Sequence, residues 1–313
     1  MDFVYAFDVN YNIQGFVAIK SLLDNVDEKI NINIIHNDLK SFENFKQELD
    51  SHKNCQKLNL YQFKSDNLNF PNIENKHVSE ATYYRLYINQ YLSGNPECVI
   101  YLDSDILCLN NPLPHLRNIK KQLLNEDLLL AARPEHIKNS NNNYIFKHLN
   151  LKSNSYFNGG VLVLNYRKWI NEETFEKLQN TVANNKKDLL WWDQDILNQV
   201  VDGNFLELNN FYNFKLSLDW KINEDYINNE VVFLHYQGKL KPWNISGILH
   251  EHSNIYQNIF IESQYSSGRY HLVKENSIVD FMTLIRSIVN FRLFKLKNSL
   301  FIIYKVIFNI FNE

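Results

Sequence analysis

The sequence is poor in the residues that staple or punctuate a chain. It has 3 cysteines in 313 residues, Cys55, Cys98 and Cys108, an odd number with no CxxC pair. A disulfide framework is therefore not expected, and a reducing compartment is. Glycine (8) and proline (6) are scarce, and no stretch rich in Gly, Pro or Ser marks a linker. The expectation is one catalytic domain with an appended tail. Neither GxxxxGKS/T nor GxGxxG occurs, so any phosphates would have to be held without a glycine-rich backbone cradle. The net charge of −3 gives no general pull toward nucleic acid. The opening MDFVYAFDVNY has no basic region leading into an apolar run. It reads as a strand rather than a signal peptide, which points to a cytoplasmic protein.

Apolar residues make up 45% of the chain, enough for a sizeable core. Strand-like runs at 3–7 (FVYAF), 32–36 (INIIH) and 58–63 (LNLYQF) alternate with helical spacing at 16–25 and 41–52. In the first helix Phe16, Ile19, Leu22 and Leu23 share a face; in the second, Phe42, Phe45 and Leu49 do, with Ser41 as the expected N-cap. This alternation predicts an α/β layered domain with a largely parallel sheet. Residues 79–92 read as a helix entered at Ser79. The continuous apolar runs at 99–102, 128–132 and 160–165 have the character of central strands. Helices are expected at 174–185 and 193–201, and a late strand at 231–235.

The tail differs from the rest. Over 278–313, Arg286, Arg292, Lys295, Lys297 and Lys305 are mixed with Phe, Ile and Leu. Lys305 and Asn309 interrupt its longest apolar stretch, well short of the ~20 residues that span a bilayer. A basic amphipathic segment lying in the membrane interface is the favoured reading, and a helix docked on the domain is the alternative.

The chemistry concentrates at strand ends. Asp8 follows residues 3–7, Asp103 and Asp105 follow VIYL at 99–102, and His235 follows VVFL at 231–234. In open α/β sheets ligands bind beyond the carboxyl ends of strands. Two like charges next to a buried-looking strand repel one another, and a cation would offset them. Two carboxylates and an imidazole suit Mn2+, with Mg2+ as the other candidate. Asp-x-Asp alone is common in solvated turns; its place after a buried strand is what favours the metal. The ion implies a ligand that needs its charge, and a diphosphate fits. Lys241 would add a second positive charge, and Gly238 close backbone approach.

Six segments in order carry a resemblance: AFDVNY (6–11), ATYYRL (81–86), VIYLDSDIL (99–107), YFNGGVLVLN (156–165), DQDILN (193–198) and HYQGKLKPW (235–243). Together they resemble glycosyltransferase family 8, which includes bacterial lipopolysaccharide galactosyl- and glucosyltransferases and glycogenin-type enzymes. The resemblance covers roughly residues 1–245. It implies a GT-A fold, that is, a Rossmann-like nucleotide-sugar-binding domain with a mixed, mostly parallel sheet. It also implies Mn2+ and a retaining reaction from UDP-galactose or UDP-glucose to a saccharide acceptor, lipid-linked if the tail lies on the inner membrane face. Asp103, Asp105 and His235 match the family's metal ligands. Ala6, Asp8, Asn10 and Tyr11 fall in the uracil-binding segment. His77, Arg85, Ser104, Asn158 and Gly159 fall with the donor. Gly238 and Lys241 match the diphosphate contacts, and Asp193 and Gln194 the pair beside the reacting sugar.

The expected layout is a GT-A catalytic domain over 1–250, a connecting segment over 251–277 and the tail over 278–313. Several residues keep a second reading. Asp193 or Asp195 can cap the helix at 196–201, Asn158-Gly159-Gly160 can form a turn, Arg85 can pair with Glu80, Tyr11 can be a core ring, and Trp191, Trp192 and Trp243 can be packing residues or acceptor-facing walls. Two departures from the family pattern are visible. Val9 stands where a second acid is common, and Glu135 follows AARP where an aspartate is common. A metal-dependent nucleotide-sugar hydrolase and a non-catalytic nucleotide-sugar-binding protein are the competing function classes.

Overall fold

The computed structural model describes residues 1–64, 70–71, 79–92, 94–135, 142–184, 189–274 and 277–311. The chain divides into two compact units, Met1–Asn213 and Phe214–Glu313.

The first unit is α/β. Its strands are β1 (Asp2–Phe7), β2 (Ile30–His36), β3 (Cys55–Gln62), β4 (Cys98–Leu102), β5 (Ile106–Cys108), β6 (Leu130–Pro134), β7 (Phe157–Asn165) and β8 (Leu206–Glu207). Seven of these form one sheet in the order β3-β2-β1-β4-β7-β6-β8. The helix Asn12–Asn25 crosses from β1 to β2 and the helix Leu39–Asp50 from β2 to β3, so β1, β2 and β3 are parallel. β4 is parallel to β1, and β7 is antiparallel to both β4 and β6. β7 therefore runs against its neighbours inside a mostly parallel sheet. β4 and β7 are buried along their whole length, as expected of strands covered on both faces.

Two local expectations change. The helix expected at 41–52 begins at Leu39, and Asp38, not Ser41, is its N-cap, accepting from Ser41 N–H. Asp and Ser are similar caps by propensity, so local sequence does not choose between sites three residues apart. The segment expected as a helix over 79–92 is a 3-10 helix over Glu80–Tyr87 followed by a short α-helix, Ile88–Tyr91; Ser79 does cap it, accepting from Ala81 N–H.

The second unit holds a parallel pair of short strands, β9 (Phe214–Leu216) and β10 (Phe233–Tyr236), and the helices Glu224–Glu230, Ser253–Ile261, Ser277–Val289 and Ser299–Phe311. The tail helices contribute Leu284, Ile302 and Val306 to a small core with Leu293, Ile245, Ile248 and Tyr270. Asp280 in the first tail helix is also buried. No helix among the described residues is long and apolar enough to cross a membrane.

His271 gives this unit a pH dependence. Its ring is buried among Trp243, Tyr256 and Phe260, with the Tyr256 hydroxyl 2.7 Å from Nδ1. Burial lowers its pKa from 6.5 to about 4. A lowered folded-state pKa means that stability is complete above the unfolded value and is lost as pH falls through the window from 6.5 to 4. The loss is roughly 3 kcal/mol. Urea midpoints measured across this range should therefore drop in the wild type and flatten in His271→Gln. Parallel curves would remove His271 as the cause.

Candidate active site

The site of the first unit lies at one edge of the sheet. Asp8 follows β1 and Asp103 follows β4, and because β1 and β4 are parallel both acids leave at the same end. β7 runs the other way, so its beginning, not its end, reaches that edge. Asp103 N–H donates to Gly160 O at 2.9 Å. The Asn158-Gly159-Gly160 segment is thus strand rather than free turn.

Asp8 is buried and caps the turn Val9–Tyr11, accepting from Asn10 N–H at 2.9 Å. Ala6, on β1, is buried as well. Burial, and then the Asp105, Asp8 and Asp103 carboxylates, push the Tyr11 phenol well above its ordinary pKa. Tyr11 therefore stands in the field of all three acids and stays protonated. Asp103, Ser104 and Asp105 make a tight turn, with Ile106 N–H donating to Asp103 O at 3.2 Å.

Arg85 is the hub. Its guanidinium is buried and makes ion pairs with Asp103 (3.1 Å) and Asp193 (2.6 Å). It also donates to Gly159 O at 2.5 Å and lies over the Tyr101 ring, 4.7 Å from its centre. Burial alone would lower its pKa, but Asp103 and Asp193 outweigh burial and raise it, so it remains a cation. The Tyr101 hydroxyl donates to Asp103 at 2.7 Å. Arg85 does not pair with Glu80, which instead accepts from the Tyr84 hydroxyl.

The 3-10 geometry over Glu80–Tyr87 has a consequence here. With three residues per turn, side chains at i and i+3 eclipse, so Thr82 and Arg85 point the same way. Both grip Asp193: Thr82 Oγ1 donates to one carboxylate oxygen at 2.5 Å and Arg85 Nε pairs with the other. Burial pushes the Asp193 carboxyl up to about 6, against the opposing pull of Arg85 and Thr82.

Gln194 follows on the helix Trp192–Val201. Its side-chain carbonyl accepts from Gly159 N–H (2.9 Å) and Asn158 Nδ2 (3.2 Å). Asn158 Nδ2 also reaches Glu135 at 3.0 Å, and Glu135 pairs with Arg133 at 3.4 Å. A Cβ added at Gly159 would fall 3.2 Å from Arg85 Nη1 and 3.6 Å from Gln194 Cγ. Glycine there keeps the strand, the arginine and the glutamine in register.

In the second unit, His235 is buried on β10 opposite Lys215 of β9. Lys241 Nζ donates to Tyr236 O at 2.6 Å, and Gly238 takes φ +83°, a left-handed conformation that suits glycine. Trp243 is packed against Tyr256, whereas Trp191 is 44% exposed. His77 lies outside the described residues.

Thr82, Tyr101 and Tyr156 were not singled out from the sequence. Tyr101 left a signal: it sits two residues before Asp103, on the same face of an extended chain. Thr82 left none, because its role depends on the 3-10 turn.

The mixed sheet, with acids gathered at the carboxyl ends of parallel strands and one strand inserted against the rest, has the α/β GT-A architecture. Residues 2–246 match the glycosyl transferase family 8 model. The chain belongs to glycosyl transferase family 8. A Haemophilus influenzae protein whose name assigns it provisionally to the glycosyltransferases is 33% identical over 250 residues, 78% of this chain and 73% of that one. An Escherichia coli lipopolysaccharide 1,2-glucosyltransferase is 27% identical over 320 residues, 87% of this chain and 89% of its own. The solved galactosyltransferase LgtC, in complex with donor and acceptor sugar analogs, shares the fold with a TM-score of 0.68 at 22% identity, covering 90% of this chain and all of that one.

Proposed function

We propose that the chain transfers a hexosyl group, galactose or glucose, from a UDP-sugar to a saccharide hydroxyl of a lipopolysaccharide or similar cell-surface glycan, with retention at the anomeric carbon. The observation that carries this reading is the meeting of Asp8, Asp103, Arg85, Asn158 and Gln194 at one sheet edge in a family 8 chain. The lipopolysaccharide acceptor rests on the kinship with the Escherichia coli glucosyltransferase.

In this reading Ala6, Asp8, Asn10 and Tyr11 hold the uracil, and Arg85, His77, Ser104, Asn158 and Gly159 the donor sugar. Gly238 and Lys241 take the diphosphate. Asp103, Asp105 and His235 hold a divalent cation. The donor set of two carboxylates and one imidazole fits Mn2+ ahead of Mg2+. When bound, such an ion supplies Lewis-acid stabilisation of the departing diphosphate. Gln194 is a poor nucleophile, and its carbonyl oxygen already accepts two hydrogen bonds. That supports attack from the same face as the leaving group, with Gln194 and Asp193 beside the reacting sugar, over a two-step route through a covalent intermediate.

Incubation with Mn2+ and a panel of UDP-sugars, following UDP release with and without candidate lipid-linked saccharides, tests the assignment. Acceptor-dependent release supports transfer. Release of free sugar at an equal rate without acceptor would mark a hydrolase, and no turnover with any donor would mark a binding protein.

The reading extends to the inner membrane surface on the cytoplasmic side. The tail buries only one side of its helices; Ile278, Val289, Phe291 and Leu300 are each at least 68% exposed, beside the exposed Arg286, Arg292, Lys297 and Lys305. Apolar insertion and attraction to anionic headgroups would act together, the latter by ~1 kcal/mol per basic residue. Truncation at residue 277 would strip part of the small core described above, so point variants on the exposed side are the cleaner probe. Phe291→Ser with Leu300→Ser should lose flotation with anionic vesicles while turnover on a soluble acceptor persists. Equal flotation of wild type and variant would remove the membrane role.

A further inference from the structure

The geometry points to Tyr156 and Asp195 as positioning residues that hold the Gln194 side-chain amide in a single orientation. The inference rests on the proposed reading that Gln194 stands beside the reacting sugar, and concerns how the chain keeps it there.

The polarity of the arrangement is fixed from both ends by backbone donors. At one end, Asp195 Oδ2 accepts from Leu190 N–H (2.6 Å) and Trp191 N–H (3.0 Å). An N–H can only donate, so this oxygen can only accept. The other carboxylate oxygen then takes the Tyr156 hydroxyl hydrogen in a short bond. With its only hydrogen committed, the Tyr156 oxygen can only accept, and it does so from Gln194 Nε2 at 3.0 Å. At the far end, Gly159 N–H donates to Gln194 Oε1 at 2.9 Å, so that side of the amide must be the carbonyl. Asn158 agrees: its Oδ1 accepts from Gly160 N–H (3.0 Å) and Asn213 Nδ2 (2.7 Å), which turns its own Nδ2 toward Gln194. Every link has one permitted direction, and a flipped amide would set N–H against N–H at Gly159 and leave the Tyr156 oxygen without its donor.

The surroundings hold these groups still. Tyr156 and Asp195 are both almost fully buried, at 2% and 0% exposure. Burial is the largest cause raising the phenol pKa, followed by Asp195, so the tyrosine remains a donor at any ordinary pH. Asp195 also closes a strained turn, since Trp192 takes φ +45°, a left-handed conformation unusual for a side chain of this size. Asp195 is not the helix N-cap: the helix begins at Trp192, Trp191 holds the cap position with no side-chain cap bond, and Asp195 lies in the first turn with its carboxylate reaching back to Leu190 and Trp191 N–H. Its second oxygen carries the restraint through Tyr156 to Gln194.

The experiment is a double-mutant cycle in the full-length protein. Tyr156→Phe keeps the ring and removes only the link; Asp195→Asn keeps the shape but places an amide N–H where an acceptor is needed. Each should lower kcat by about tenfold to a hundredfold while the donor KM stays nearly constant, as loss of positioning does. In a Gln194→Ala background, Tyr156→Phe should have almost no further effect, because the group it restrains is gone. An equal loss in both backgrounds would overturn the proposal, since a purely structural tyrosine costs the same with or without Gln194. A second readout needs no turnover. The Gln194 side-chain NH2 signals, in selectively labelled protein, should be dispersed in the wild type and approach free-amide positions in either variant. Unchanged signals in a folded variant would also overturn the proposal. If Gln194→Ala turns over normally, the placement of Gln194 at the reacting sugar fails, and the NH2 signals still decide whether Tyr156 and Asp195 restrain it.

Discussion

Asp105→Ala is expected to abolish transfer, by about a thousandfold or more, and to remove its dependence on Mn2+. A thousandfold corresponds to roughly 4 kcal/mol of transition-state stabilisation, within reach of a lost Lewis acid on a leaving diphosphate. Asp103→Ala is expected to match it in turnover and to exceed it in damage to the fold. The difference comes from Arg85. Asp103 accepts from Tyr101 and pairs with the buried guanidinium, so its removal takes away one of the two carboxylates that hold that cation. UDP release measured against Mn2+ concentration, with thermal melting alongside, separates the two effects. Near-normal turnover of either variant in EDTA would rule out the metal assignment.

Arg85→Met is expected to have the largest effect on stability. The side chain is 8% exposed and Asp193 only 2%. Removing the guanidinium leaves Asp193 buried without its cation and Asp103 without one of its partners. Breaking a buried pair from one side costs about 3–5 kcal/mol, because the remaining charge stays desolvated. For a protein of this size that is a drop of roughly 5–15 °C in melting temperature. Adding Asp193→Asn removes the stranded charge and should recover part of the loss, although not activity. If the double variant melts no higher than Arg85→Met alone, the cost lies in lost packing or in the bond to Gly159 rather than in the ion pair.

These two predictions divide what was legible in the sequence from what was not. The candidate metal acids could be named because their signal is local: an apolar run long enough to be a central strand, ending in charge. Periodicity and composition report such features within a few residues. The same locality explains the failed details. Ser41 and Asp38 are equally good caps, and a 3-10 turn and an α-turn differ by one residue in hydrogen-bond reach, too little for residue type to decide. The 3-10 form over Glu80–Tyr87 places Thr82 and Arg85 together on Asp193, which lies 111 positions from Thr82 in the chain.

The alternation of strands and helices, the acids at strand ends and the order of motifs that marks the family are all written in the local residue pattern. Each depends on neighbours in the chain. Long-range packing set β7 running against the sheet, which brings Asn158 and Gly159 to the edge where Asp103 leaves. It also decided that Arg85 would be buried between Asp103 and Asp193 instead of pairing with Glu80, five residues away in the chain. It made Tyr156, 39 positions from Asp195, the link to Gln194. The physical reason is common to all three. A buried charge or hydrogen-bonding group must find partners once water is excluded. Which partners are within reach is set by strand order and direction, which no local pattern of residues encodes.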